Sequence, residues 1–61
     1  MEVFTVREVA TYLKCSQSAI RKLVSIKAIP FYNVGNRILF RKEAVDNWIN
    51  QQETYIEHNN L

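Results

Sequence analysis

Five polar residues fall at helical spacing in one short run, Gln17, Ser18, Arg21, Lys22 and Ser25, led by Ser16, and three of them, Gln17, Arg21 and Lys22, carry paired hydrogen-bonding ability or positive charge. Glutamine and arginine can each make two parallel hydrogen bonds to one planar edge, the chemistry that separates adenine from guanine in a DNA major groove. A second group, Asn36, Arg37, Arg41 and Lys42, lies about fifteen residues further on and suits contact with phosphates or a narrow minor groove. Between Glu8 and Glu43 there is no acid, and that interval holds seven of the eight basic residues. The net charge is only +2, so the segregation carries the signal: an acid-free basic block with acidic flanks is the electrostatic footprint of a polyanion binder. The competing reading is the solvated side of an amphipathic helix, so the elements around these residues must decide.

The stretch "TVREVATYLK" predicts a helix. Thr5 followed three residues later by Glu8 is a capping box, and Val6, Val9, Ala10 and Leu13 form one apolar stripe with Tyr12 at its margin. After the connection "KCS", Ser16 is a good N-cap for a second helix, "QSAIRKLVS", whose buried stripe is Ile20, Leu23 and Val24 with help from Ala19. Two short helices joined by about three residues make a helix-turn-helix. Pro30 denies Ile29 helical geometry and opens an extended segment. "FYNV" and "RILF" then flank Gly35-Asn36, a tight hairpin that sets Val34 across from Arg37, Asn33 from Ile38, Tyr32 from Leu39 and Phe31 from Phe40. Both hairpin faces are partly apolar, so alternation does not choose the buried one. A last helix, "KEAVDNWINQQ", lines up Val45, Trp48, Ile49 and Gln52, and its periodicity can run on to Tyr55 and Ile56.

The stretch from Thr5 to Ile49 resembles the short excisionase-type DNA-binding domains of phages and integrative elements, a branch of the MerR-like winged helix-turn-helix group. "TVREVATYL", "SQSAIRKLV", "AIP", "VGNR" and "RKEAVDNWI" stand in the family's order without gaps. The resemblance implies an α+β, mainly helical fold: two short helices, a β-hairpin wing and a C-terminal helix. It also implies binding and bending of double-stranded DNA near an attachment site, directing an integrase toward excision of a mobile element, with copies of the protein on adjacent sites. A small transcriptional regulator on the same scaffold is the alternative, and a protein–protein adaptor using Trp48, Tyr55 and Ile56 is a third reading. The family usually has glycine and a small aliphatic at the turn, where this chain has Lys14 and Cys15; a left-handed lysine costs roughly 1–2 kcal/mol, or the turn is altered. At the wing tip Asn36 precedes Arg37, where many relatives carry two basic residues.

The remaining composition sets bounds. A chain of 61 residues is expected to form a single winged helix-turn-helix domain over 1–61, with 53–61 as a frayed or partner-contacting tail. No apolar run is long enough to span a bilayer, no secretory leader is evident, and the lone Cys15 is expected to sit as a small buried hydrophobe, so a cytoplasmic, nucleoid-associated protein of bacterial or phage origin is expected. Nothing resembles a phosphate loop, a nucleophile beside a base or paired carboxylates; no enzyme activity, small-molecule substrate, cofactor or membrane partner is expected. His58 has no second ligand at metal-binding spacing, and Trp48 reads as a core anchor.

Overall fold

A computed structural model describes residues 2–53 of the chain. Their order is β1 (Val3–Thr5), α1 (Val6–Leu13), α2 (Gln17–Ser25), β2 (Tyr32–Val34), β3 (Arg37–Arg41) and α3 (Lys42–Gln52). The three strands form an antiparallel sheet in the order β1-β3-β2. This is the winged helix-turn-helix, with the hairpin β2–β3 as its wing.

The capping box forms at the start of α1: the Thr5 amide donates to Glu8 Oε1 at 2.9 Å, and the Glu8 amide donates to Thr5 Oγ1 at 3.2 Å. Two orphan amides are thereby satisfied within one turn. Immediately before it, Val3, Phe4 and Thr5 pair with Arg41, Phe40 and Leu39. Alternation in sequence does not reveal this strand, because three residues are too few to establish a period. It matters for packing, since it places Phe4 opposite the fully buried Phe40.

The hairpin register is the expected one at Val34–Arg37, Asn33–Ile38 and Tyr32–Leu39. The fourth expected pair does not form. β2 begins at Tyr32, and the registered partner of Phe40 is Phe4. Phe31 follows Pro30, which has no amide to extend a ladder, and packs half-buried against the core instead. The structure also selects the buried face of β3: Phe40 and half-buried Ile38 pack with the core, while Arg37 and Arg41 are exposed.

The core consists of Val6, Val9, Ala10, Ile20, Ile29, Phe40 and Val45. Leu13, Leu23, Val24, Trp48 and Ile49 pack around it while keeping part of their surface in solvent. Burial in so small a unit is limited, so polar ties between elements count. Trp48 supplies one, its indole Nε1–H donating to the Ala28 carbonyl at 2.7 Å. The Tyr12 hydroxyl supplies another, donating from α1 to Asp46 of α3 at 2.5 Å, and the Tyr12 ring lies 4.9 Å from that of Phe4.

Both helices of the helix-turn-helix end in the same way. At the end of α1 the Cys15 amide donates to Ala10 at 2.9 Å and the Lys14 amide to Thr11 at 3.2 Å; at the end of α2 the Ala28 amide donates to Leu23 at 2.8 Å and the Lys27 amide to Val24 at 3.0 Å. These paired bonds define Schellman caps, with Lys14 (φ 59°) and Lys27 (φ 57°) at the left-handed position that glycine usually fills. The turn is therefore kept, and lysine takes on the strain.

Two expectations need correction. Cys15 is exposed, because its amide is committed to closing the cap and its side chain falls outside the apolar stripe of either helix. Gln52 is exposed as well, since the packed side of α3 ends at Ile49. The expectations for Tyr55, Ile56 and His58 lie outside the described residues.

Candidate nucleic-acid interface

α2 is oriented by its own amphipathicity. Ser16 Oγ accepts from the Ala19 amide at 3.1 Å and fixes the helix start, while Ile20 is fully buried. Gln17, Ser18, Arg21, Lys22 and Ser25 are consequently exposed on the other side. In the wing, Gly35 has φ 61° and Asn36 does not share a positive φ, the pattern of a two-residue type II′ turn. A Cβ on Gly35 would meet nothing within 4 Å, so the requirement for glycine is conformational and not one of space. The reversal carries Arg37 into β3 directly after the tip.

These two elements meet in a cleft of about 320 Å³ lined by Gln17 and Arg21 from α2 and by Asn36, Arg37 and Ile38 from the wing. Four of the ten predicted site residues thus share one concavity. Thr5 at the end of β1 and Val6 and Arg7 at the start of α1 complete its lining. No acidic residue lines it. Arg7 did not emerge from the sequence analysis, yet one signal was present: a basic residue in the first turn of a helix opposes the helix dipole and calls for a reason beyond local stability.

The other predicted residues are placed differently. Ser18, Lys22 and Ser25 stay on the exposed face of α2 outside the cleft, and the Ser16 hydroxyl is occupied as a cap. Arg41 lines a separate hollow of about 280 Å³ with Pro30, Phe31, Tyr32 and Ala44. Lys42 is turned away from the cleft: its ammonium pairs with Asp46 at 2.9 Å and lies 5.6 Å from the Tyr12 ring centre. The hollow beside it is the larger one, about 440 Å³, and it is lined by Glu2, Glu43 and Asp46 together with Lys42 and Asn47. Three carboxylates repel a polyanion, so size does not make it the interface.

The Tyr12–Asp46–Lys42 cluster perturbs its own titration. The Tyr12 hydroxyl, followed by the Lys42 ammonium, holds the Asp46 carboxyl below the usual carboxylate range. The hydrogen bond to Asp46 raises Tyr12, and Asp46 likewise raises Lys42. This cluster joins α1 to α3 and so supports the frame behind the cleft. Among the described residues no group of His, Cys, Asp and Glu could hold a metal ion, and no helix is long and apolar enough to cross a membrane.

An exposed helix and an adjacent hairpin sharing a basic cleft define a helix-turn-helix protein built to meet DNA. Residues 3–53 match the family model described as a helix-turn-helix domain, and the chain belongs to that family, which includes excisionase-like small DNA-binding domains. No curated protein and no solved structure matches the chain significantly.

Proposed function

We propose that the protein is an excisionase-like accessory factor: it binds and bends double-stranded DNA near an attachment site and directs an integrase to excise a mobile element. The observation that carries the DNA-reading geometry is the shared cleft of Gln17 and Arg21 with Asn36 and Arg37. In that geometry α2 enters the major groove with its N-terminal residues at base edges, and the wing grips the neighbouring backbone or minor groove. Ser18, Lys22 and Ser25 extend the contact along the groove-facing side of α2. The excision role is supported by the family's membership and by size: so small a surface makes few contacts, and affinity then comes from several copies side by side or from contact with an integrase.

Footprinting on DNA from the locus that encodes the protein tests this reading. Several sites clustered at an element end beside an integrase gene are expected, with excision in vitro depending on the protein. A single site overlapping a promoter would overturn the excision role in favour of a transcriptional regulator on the same scaffold.

A further inference from the structure

Three arginines from three different elements line one cleft: Arg7 from α1, Arg21 from α2 and Arg37 from the wing. None of them has an ion pair among the described residues, whereas Lys42 is paired with Asp46. No carboxylate lines the space between them. Arg7 additionally sits against the positive end of the α1 dipole, a placement that disfavours the free protein. Like charges that line one open and partly polar hollow, none of them ion-paired with a carboxylate, suit an anion from outside. Arginine also matches phosphate oxygens with a planar fork of donors.

We infer that this cleft seats a backbone phosphate of the bound DNA, and that Arg7 is a phosphate-binding residue sharing it with Arg37. The inference rests on the proposed docking of α2 and the wing, and it adds a third wall to that interface. Gln17, also in the lining, supplies a neutral hydrogen-bonding group beside the same anion. The helix that carries no base-reading residue thereby fixes the depth and angle at which α2 enters the groove. Arg7 positions the domain without selecting a sequence.

The test compares Arg7→Ala, Arg37→Ala and the double variant on two probes, a duplex of random sequence and a duplex selected in vitro for tight binding, across a salt series. Arg7→Ala is expected to weaken binding to both duplexes alike, by roughly tenfold, and to make the log–log salt dependence shallower by up to about 0.9. Because Arg7 and Arg37 share one phosphate, the double variant should lose less than the product of the two single losses. Arg7→Gln, which keeps a helix-favouring side chain, replaces Arg7→Ala if circular dichroism shows that variant to be unfolded. Unchanged affinity and slope in the Arg7 variants, while Arg37→Ala weakens binding, would overturn the inference and leave the proposed docking intact. Fully multiplicative losses, or an altered base preference in Arg7→Ala, would also overturn it. Absence of salt-sensitive DNA binding by the unaltered protein would remove the docking itself.

Discussion

Trp48 and Ala28 are joined across the domain: the indole Nε1–H of α3 donates to the carbonyl that follows the α2 cap, at 2.7 Å. The same carbonyl's residue closes the Schellman turn through its amide, which donates to Leu23. One bond thus ties the segment that leaves α2 to α3.

Trp48→Phe should therefore cost stability through both the lost donor and the smaller ring. The Ala28 carbonyl is exposed enough to be rehydrated, so the hydrogen-bond part stays near 1 kcal/mol. The lost apolar area adds a similar amount, giving about 2 kcal/mol in all. Urea unfolding followed by far-UV circular dichroism measures it. A midpoint equal to that of the unaltered protein would show that the indole contributes nothing to the frame.

Arg21 and Arg37 line the same cleft but come from different elements, α2 and the wing, to which the proposed docking gives different tasks. Arg21→Ala should lower affinity and flatten discrimination between bases, by about 1–3 kcal/mol at the position it reads. Arg37→Ala should weaken binding to all sequences by a similar factor and reduce the salt slope. Selection of binding sites from a random library, repeated with each variant, separates these outcomes. Identical preferences in the two variants would mean that Arg21 also contacts only the backbone.

Much of this arrangement was legible in the sequence, for physical reasons that differ from one element to the next. The capping box at Thr5 and Glu8, the Ser16 cap and the Gly35-Asn36 reversal are local signals, and each forms at the expected residues. The exposed side of α2 follows from the burial of Ile20 alone. Contacts between distant segments were not legible. Nothing in "MEVFTV" shows that Val3–Thr5 adds a strand to the wing, because that pairing joins residues some 35 positions apart. Arg7 was missed for the same reason: its place in the cleft depends on how the Lys14 turn sets α1 against α2. Lys42 has a basic residue's charge and a favourable position after the wing, yet Asp46 one helical turn later captures it.

The Tyr12–Asp46–Lys42 cluster predicts a pH dependence with a definite sign. Asp46 titrates below its ordinary range when folded, so its contribution is complete above the usual carboxylate pKa and disappears as pH falls through and below that range. Tyr12 and Lys42 titrate above their ordinary values, so theirs is complete below the usual tyrosine value of 10.0 and is lost as pH rises beyond it. The tie between α1 and α3 is thus intact across neutral pH. Solvent exposure and the neighbouring Glu2 and Glu43 keep the effect small. The difference in unfolding midpoint between the unaltered protein and Asp46→Asn should be flat between about pH 5 and 9 and should shrink towards acid pH. A difference that stays undiminished however far the pH falls below the usual carboxylate range would remove the carboxylate from the account.

Lys14 and Lys27 give the most counter-intuitive expectation. Each holds a left-handed backbone at the end of a helix, where a Cβ is disfavoured by roughly 1–2 kcal/mol. Glycine relieves that strain but adds freedom to the unfolded chain, so Lys14→Gly and Lys27→Gly should each stabilise by a net of about 0.5–1 kcal/mol. The two caps close different helices, so the gains should add in the double variant. For a domain of this size the combined shift in Tm is several degrees, roughly 4–8 °C for each kcal/mol. Both lysines also belong to the acid-free basic block, and removing them reduces the attraction for phosphates. Thermal unfolding and a salt series on one duplex should therefore move in opposite directions: a more stable protein that binds DNA more weakly, with a shallower salt slope. A glycine variant that is less stable than the unaltered protein would show that lysine makes a compensating contact at that cap. One that gains stability and keeps the full salt slope would place that lysine outside the electrostatic footprint of the interface.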